Sequence, residues 1–149
     1  MKVNGDSMTN EDKIKQFLGT NHGYISTSDF LRLNISKPLI KKYVDTGLIK
    51  KVSHGLYMDS NLLVDDEYVF QKRYPDAIYS YKTALSILGL IKETQKEVEI
   101  TVNSKKRVLC NYKVHYVANK YYDIGIIEFN NMFNNPIKIY NAERCICDM

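Results

Sequence analysis

One stretch, Ser36–Met58, leaves a chain of this kind few ways to fold. Ser36-Lys37-Pro38 opens a helix: serine is a preferred N-cap, and proline is tolerated in the first turn, where its missing N–H would have no partner. Leu39, Ile40, Tyr43 and Val44 recur at three- and four-residue spacing, which marks one buried face. Lys37, Lys41, Lys42 and Asp45 fall largely on the other side. Gly47 is the natural stop, because glycine takes the left-handed C′ conformation without a Cβ penalty. Leu48–Val52 and Leu56–Met58 are β-type runs separated by Ser53-His54-Gly55, a spacing that predicts a hairpin with a three-residue loop.

The residues before this stretch add two more helices. Thr9-Asn10-Glu11-Asp12 places a cap and acidic groups ahead of Ile14, Phe17 and Leu18, and Gly19–Gly23 breaks that helix. Tyr24-Ile25 is a short extended piece. Ser26 and Asp29 then stand at capping-box spacing, with Phe30, Leu31 and Leu33 as the apolar side. Helix, turn, helix, turn, helix, hairpin is the element order of a winged helix-turn-helix, here over residues 9–60.

Asn61–Asp66 reads as a linker. Glu67–Tyr74 is expected to be helical, ended by Pro75-Asp76, and Ser80–Leu88 forms a second helix with Ala84, Leu85 and Leu88 inside. From Glu97 the pattern turns to strands around Val98-Ile100-Val102, Tyr112-Val114-Tyr116, Ile124–Phe129 and Ile137-Ile139. Ala142–Met149 begins another helix. The expected fold class is therefore α+β: the winged helix, then a small helix-plus-mixed-β-sheet domain over residues 66–149. Met8-Thr9 would also serve as a start, making Met1–Ser7 an upstream extension.

Charge points to a partner. The chain of 149 residues carries 21 basic and 17 acidic groups, a net +4. Ser36–Met58 holds five lysines and one aspartate; removing these leaves 16 basic and 16 acidic groups, which cancel. A helix fits the major groove and a wing's lysines reach flanking phosphates, so the expected ligand is double-stranded DNA. Lys37, Lys41 and Lys42 are the groove or phosphate candidates, and Lys50, Lys51 and His54 those of the wing. Ser26, Ser28 and Ser36 are placed to donate to phosphate from helix N-termini. The third helix offers no exposed Arg, Asn or Gln, so base reading falls to lysine–guanine contacts and DNA shape.

Other chemistry is thin. The twelve tyrosines would suit stacking on single-stranded RNA, but they are scattered, with Tyr43, Tyr57 and Tyr68 at buried-looking positions, so core and boundary packing is their expected role. Cys110, Cys145 and Cys147 lack zinc spacing and read as free thiols, so no metal or cofactor is expected. His22, His54 and His115 show no partner motif, and no glycine-rich phosphate loop exists. Glu97 and Glu99, on one face of a strand, are the only footing for a metal-dependent nuclease, and no lysine follows at the needed spacing. The chain is expected not to be an enzyme. With no apolar run near the ~20 residues of a membrane span, no signal-type N-terminus and an odd cysteine count, a cytoplasmic location away from membranes is expected.

Gly23-Tyr24-Ile25-Ser26, Gly47-Leu48-Ile49-Lys50-Lys51-Val52 and Gly55-Leu56-Tyr57 resemble the AbiEi antitoxin family of abortive-infection toxin–antitoxin systems. So do Ser80–Leu85, Leu88-Gly89-Leu90, Ile100-Thr101-Val102 and Ala142–Asp148, in the same order. The resemblance implies a bacterial phage-defence repressor that binds inverted repeats in its own promoter; the expected docking is two copies on a two-fold site. It also implies an antitoxin whose second domain helps neutralise a toxin resembling a nucleotidyltransferase, without requiring a stable complex. Tyr81 and Lys82 stand where the family often has His before an acidic residue. The family continues with further helices after the Glu143–Asp148 segment, so the second domain is expected to be cut short. The rival from another class is a protein-interaction adaptor whose basic helix is incidental.

Overall fold

The computed structural model describes residues 8–149; the reading of residues 1–7 as an extension lies outside them. The fold is α+β, with seven helices and two sheets among the described residues. The chain divides into two units, one running to Val64 and one starting at Asp65. No helix among the described residues is long and apolar enough to cross a membrane.

The first unit contains α1 (Asn10–Thr20), β1 (Tyr24–Ser26), α2 (Thr27–Arg32), α3 (Lys37–Asp45), β2 (Ile49–Ser53) and β3 (Leu56–Asp59). Thr9 caps α1 by accepting from the Asp12 N–H at 3.1 Å. The Ser26 capping box closes in both directions: its hydroxyl accepts from the Asp29 N–H at 3.2 Å, and the Asp29 carboxylate accepts from the Ser26 N–H at 2.9 Å. Ser36 occupies the N-cap position of α3, but its side chain makes no capping bond.

Each helix sends an apolar anchor inward. Ile14, Leu18, Phe30 and Ile40 meet Ile25, Ile35 and Ile49 in one buried cluster. Leu31 does not join it. Phe30 already faces the core of the six-residue α2, and the next side chain along a helix turns away from it, leaving Leu31 51% exposed. The three strands pair antiparallel in the order β1-β3-β2. The hairpin differs from the expected three-residue loop: β2 reaches Ser53, which pairs with Leu56, and the register slips between Lys51 and Ser53. The additional residue is thus taken up as a bulge, and only His54-Gly55 turn the chain.

The second unit contains α4 (Asp66–Arg73), β4 (Ile78–Tyr79), α5 (Tyr81–Ile87), β5 (Glu99–Asn103), β6 (Lys113–Val117), α6 (Asn119–Tyr122), β7 (Ile126–Asn130), β8 (Pro136–Tyr140) and α7 (Ala142–Asp148). Its mixed sheet runs β6-β5-β4-β8-β7, with β5–β6 and β4–β8 parallel and the other two pairs antiparallel. β4 and α6 are additions to the sequence reading; at two and four residues they are too short to show a period.

Two polar devices hold this unit. Asp65, buried, caps α4 and accepts from the side-chain amides of Asn131 and Asn135, both at 2.7 Å. This ties the β7–β8 turn to the start of α4. Arg144 of α7 donates to the carbonyls of Tyr121 and Ile124 at 2.6 and 2.7 Å and to the Asp148 carboxylate at 2.8 Å, while its guanidinium lies 4.3 Å from the centre of the Tyr140 ring. Gly125 passes beneath it where a Cβ would come within 2.8 Å of the Arg144 Cβ. Replacing Arg144 by alanine strands these acceptors and should lower the unfolding free energy by about 2–3 kcal/mol, read by urea denaturation. Lysine, a point charge without the planar fork, should recover less than half of the loss.

Candidate nucleic-acid interface

The site begins with the pairing of β1 to β3. Tyr24↔Met58, Ile25↔Tyr57 and Ser26↔Leu56 lock the hairpin to the segment that leads into α2. The hairpin tip is fastened as well: the Gly55 carbonyl accepts from the Thr27 N–H at 2.9 Å and from its hydroxyl at 3.5 Å. Tyr57 packs edge-on to Phe30 with ring centres 5.7 Å apart. The hairpin is thereby fixed to α2, and α3 reaches it through the shared core.

Between α3 and the hairpin lies an open groove of about 450 Å³. Ile40, Val44 and Tyr57 are its large apolar lining residues. Lys37, Lys41, Lys51 and His54 line it, so cations from two separate elements meet along one cleft. Lys37, Lys41, Lys51 and His54 are all exposed. No carboxylate among the described residues lines the groove.

The remaining residues singled out from sequence divide differently. Lys42 is exposed on α3 but lies outside the groove lining. Lys50 faces away from Lys51, as neighbours on a strand must, and its ammonium donates to the Leu62 carbonyl at 2.9 Å. Ser26 is half-buried and its hydroxyl is used by the capping box. Ser28 is exposed, 3.5 Å from the Ser26 hydroxyl, and Ser36 is exposed with its hydroxyl unused in capping. Thr27, Gly55 and Tyr57 also line the groove and were not among the binding residues expected from the sequence; the hairpin pattern and the family resemblance pointed toward Gly55 and Tyr57, and nothing toward Thr27 of α2.

Elsewhere the chemistry is redistributed. Glu97 precedes β5 and so does not share a strand face with Glu99. Glu99 instead pairs with His115 of β6, Oε2 to Nε2 at 2.7 Å, and the Tyr81 ring stacks on His115 at 3.8 Å. His115 thus has the partner that its motif context did not reveal. Cys145 is buried and Cys147 exposed, on different sides of α7. Burial pushes the Cys145 thiol up to about 11, so it stays protonated at neutral pH.

Comparison with known proteins gives one family. Residues 12–58 match the model of a family described as transcriptional regulator, AbiEi antitoxin. The match runs from within α1 to within β3, the segment that builds the groove, and agrees with the resemblance carried by the motifs at Gly23–Ser26, Gly47–Val52 and Gly55–Tyr57; it does not extend to those from Ser80 onward. No curated protein matches the chain.

Two glycines of this unit should respond oppositely to alanine. Gly55 sits at φ +70° in the hairpin turn, a conformation that costs other residues about 1–2 kcal/mol, so Gly55→Ala should destabilise by about 1 kcal/mol. Gly19 lies inside α1, and a Cβ added there would meet no atom within 4 Å, so Gly19→Ala should stabilise by about 0.5–1 kcal/mol. Urea unfolding of the two variants checks both signs.

Proposed function

We propose that residues 9–60, within which lies the segment of the AbiEi antitoxin regulator family, form a winged helix-turn-helix that binds duplex DNA and represses its own promoter. The single observation that carries this reading is the groove in which Lys37 and Lys41 of α3 face Lys51 and His54 of the hairpin. In this reading α3 enters a major groove, with Lys37 and Lys41 at its floor and phosphates. Lys42, Lys51 and His54 contact the flanking backbone, and Ser28 and Ser36 supply neutral donors to phosphate. Ser26 and Lys50 act indirectly: the first sets the start of α2, the second ties the hairpin to Leu62.

The protein acts by occupancy, with two copies on an inverted repeat excluding polymerase. Residues 66–149 carry the antitoxin half, directed at a toxin resembling a nucleotidyltransferase. The family match over residues 12–58 supports the regulator half, and the antitoxin half rests on the family's description as an antitoxin and on the resemblance of the motifs from Ser80 onward. The protein works as a binding protein in the bacterial cytoplasm, without a catalytic site or cofactor.

The test is a gel-shift titration on duplex from the protein's own upstream region at several salt concentrations, with scrambled duplex as competitor. Contact with four to five phosphates gives a slope of log K against log salt near −4, at about −0.9 per phosphate. Neutralising Lys37, Lys41 and Lys51 together to alanine should bring the slope to about −1, while Lys42→Ala removes about one unit. Binding that does not distinguish the upstream duplex from the scrambled one defeats the repressor reading and favours the adaptor.

A further inference from the structure

The balance of charge outside Ser36–Met58 holds in sum but not in space. Residues 103–122 carry Lys105, Lys106, Arg107, Lys113 and Lys120 and no Asp or Glu. All five cations are exposed. Of them only Lys106 has a carboxylate partner among the described residues, Asp76 at 3.7 Å, and that pair is itself open to solvent.

The fold gathers four of these cations at one place. β5 and β6 run parallel, so the loops leaving them emerge side by side at their carboxyl ends. The Ser104 N–H donates to the Val117 carbonyl at 2.8 Å, and the Asn103 side-chain amide donates to the Asn119 side-chain carbonyl, joining the two loops. Asn103 also shapes its own loop: its side-chain oxygen accepts from the Lys105 N–H at 3.0 Å and its carbonyl from the Lys106 N–H at 2.8 Å. Lys105 and Lys106 are thus held on a defined turn, with Arg107 next in the chain, and this loop is bonded to the one that carries Lys120.

Aromatic rings accompany the charge. Tyr121 is 49% and Tyr116 54% exposed, and the Lys120 ammonium lies 4.9 Å from the Tyr121 ring centre. Large rings left open beside unpaired cations match the requirements of a strand of nucleotides, whose phosphates need positive charge and whose bases need flat faces. An acidic protein surface would use the lysines but leave the rings without purpose. The carboxyl end of parallel strands is also where open α/β sheets take their ligands.

We propose that the loops following β5 and β6 form a second nucleic-acid surface, specific for single strands, in which Lys105, Lys106, Arg107 and Lys120 hold phosphates and Tyr121 and Tyr116 stack on bases. This surface belongs to the second unit and is independent of the α3 groove. Asn103 is its positioning residue.

The experiment is fluorescence anisotropy of the full chain with labelled single-stranded RNA and DNA of mixed sequence, about 20 nucleotides long, which exceeds the ~4–16 nucleotides of a single stacking fold. Four neutralised phosphates predict a salt slope of about −3, at about −0.7 each on a single strand. Changing Lys105, Lys106 and Lys120 together to alanine should bring the slope to about −0.7. Tyr121→Ala should weaken binding by about fivefold or more and Tyr121→Trp restore it, which separates the ring from any effect on folding. Neutralising Lys37, Lys41 and Lys51 should leave single-strand binding unchanged, so this surface and the duplex groove fail separately. Tighter binding of RNA than DNA, or the reverse, tells which strand the surface prefers, and both support it. No binding at low salt, loss in the α3-groove variant with none in the loop variant, or polyglutamate bound as tightly as RNA would each overturn the proposal, the last in favour of an acidic protein partner.

Discussion

The first unit depends on the pairing of a three-residue strand. A two-stranded hairpin is at best marginally stable in water by itself. Here β1, lying between the first two helices, adds a third strand on the β3 side, and the Gly55 carbonyl ties the turn to the start of α2. Ile25 of that strand, 1% exposed, belongs to the same cluster as Ile14, Phe30, Ile40 and Ile49. One short strand therefore joins hairpin and helices into a single body. Both walls of the groove between α3 and the hairpin stand on this core, through Ile40 on one side and Ile49 and Tyr57 on the other.

The second unit relies more on polar bonds placed where the chain changes direction. Asp65, Asn131 and Asn135 hold a turn to a helix start, and the Arg144 fork holds α7 to the loop around Tyr121 and Ile124. Both are fully engaged, so their geometry is specific as well as stabilising. The Glu99–His115 pair under the Tyr81 ring does similar work between β5 and β6. Tyr81 adopts φ +55°, a left-handed conformation, with its ring stacked on His115.

What could be read from the sequence was local. The caps at Thr9 and Ser26, the stop after α3 and the hairpin follow from side chains acting on their own backbone, and the structure has them where the motifs stand. The cations Lys37, Lys41 and Lys51 were legible as a set because helix and hairpin periodicity place them outward. Less legible was which outward direction each takes. Lys50 and Lys51 are the same residue type side by side, yet one is used inside the unit and the other opens to the groove. Long-range register was not legible at all. Glu99 and His115 meet only because β5 and β6 run parallel, and the cationic loops meet for the same reason. A summed charge hid the latter, since acidic groups elsewhere in the chain offset them arithmetically while only Asp76 pairs with one of them.

The strand order of the second sheet has a consequence for the growing chain. Every strand partner and core-cluster residue of the first unit has left the ribosome once Asp59 has, and the Leu62 carbonyl that ties down Lys50 follows three residues later. The second sheet must wait: β4 is two residues long and sits between β5 and β8, and β8 begins at Pro136. Closing it requires contacts across more than half of the unit, the kind of pairing that forms slowly. On a translating ribosome the groove is therefore assembled while the sheet that follows still lacks β7 and β8, and the two units reach their working forms in sequence.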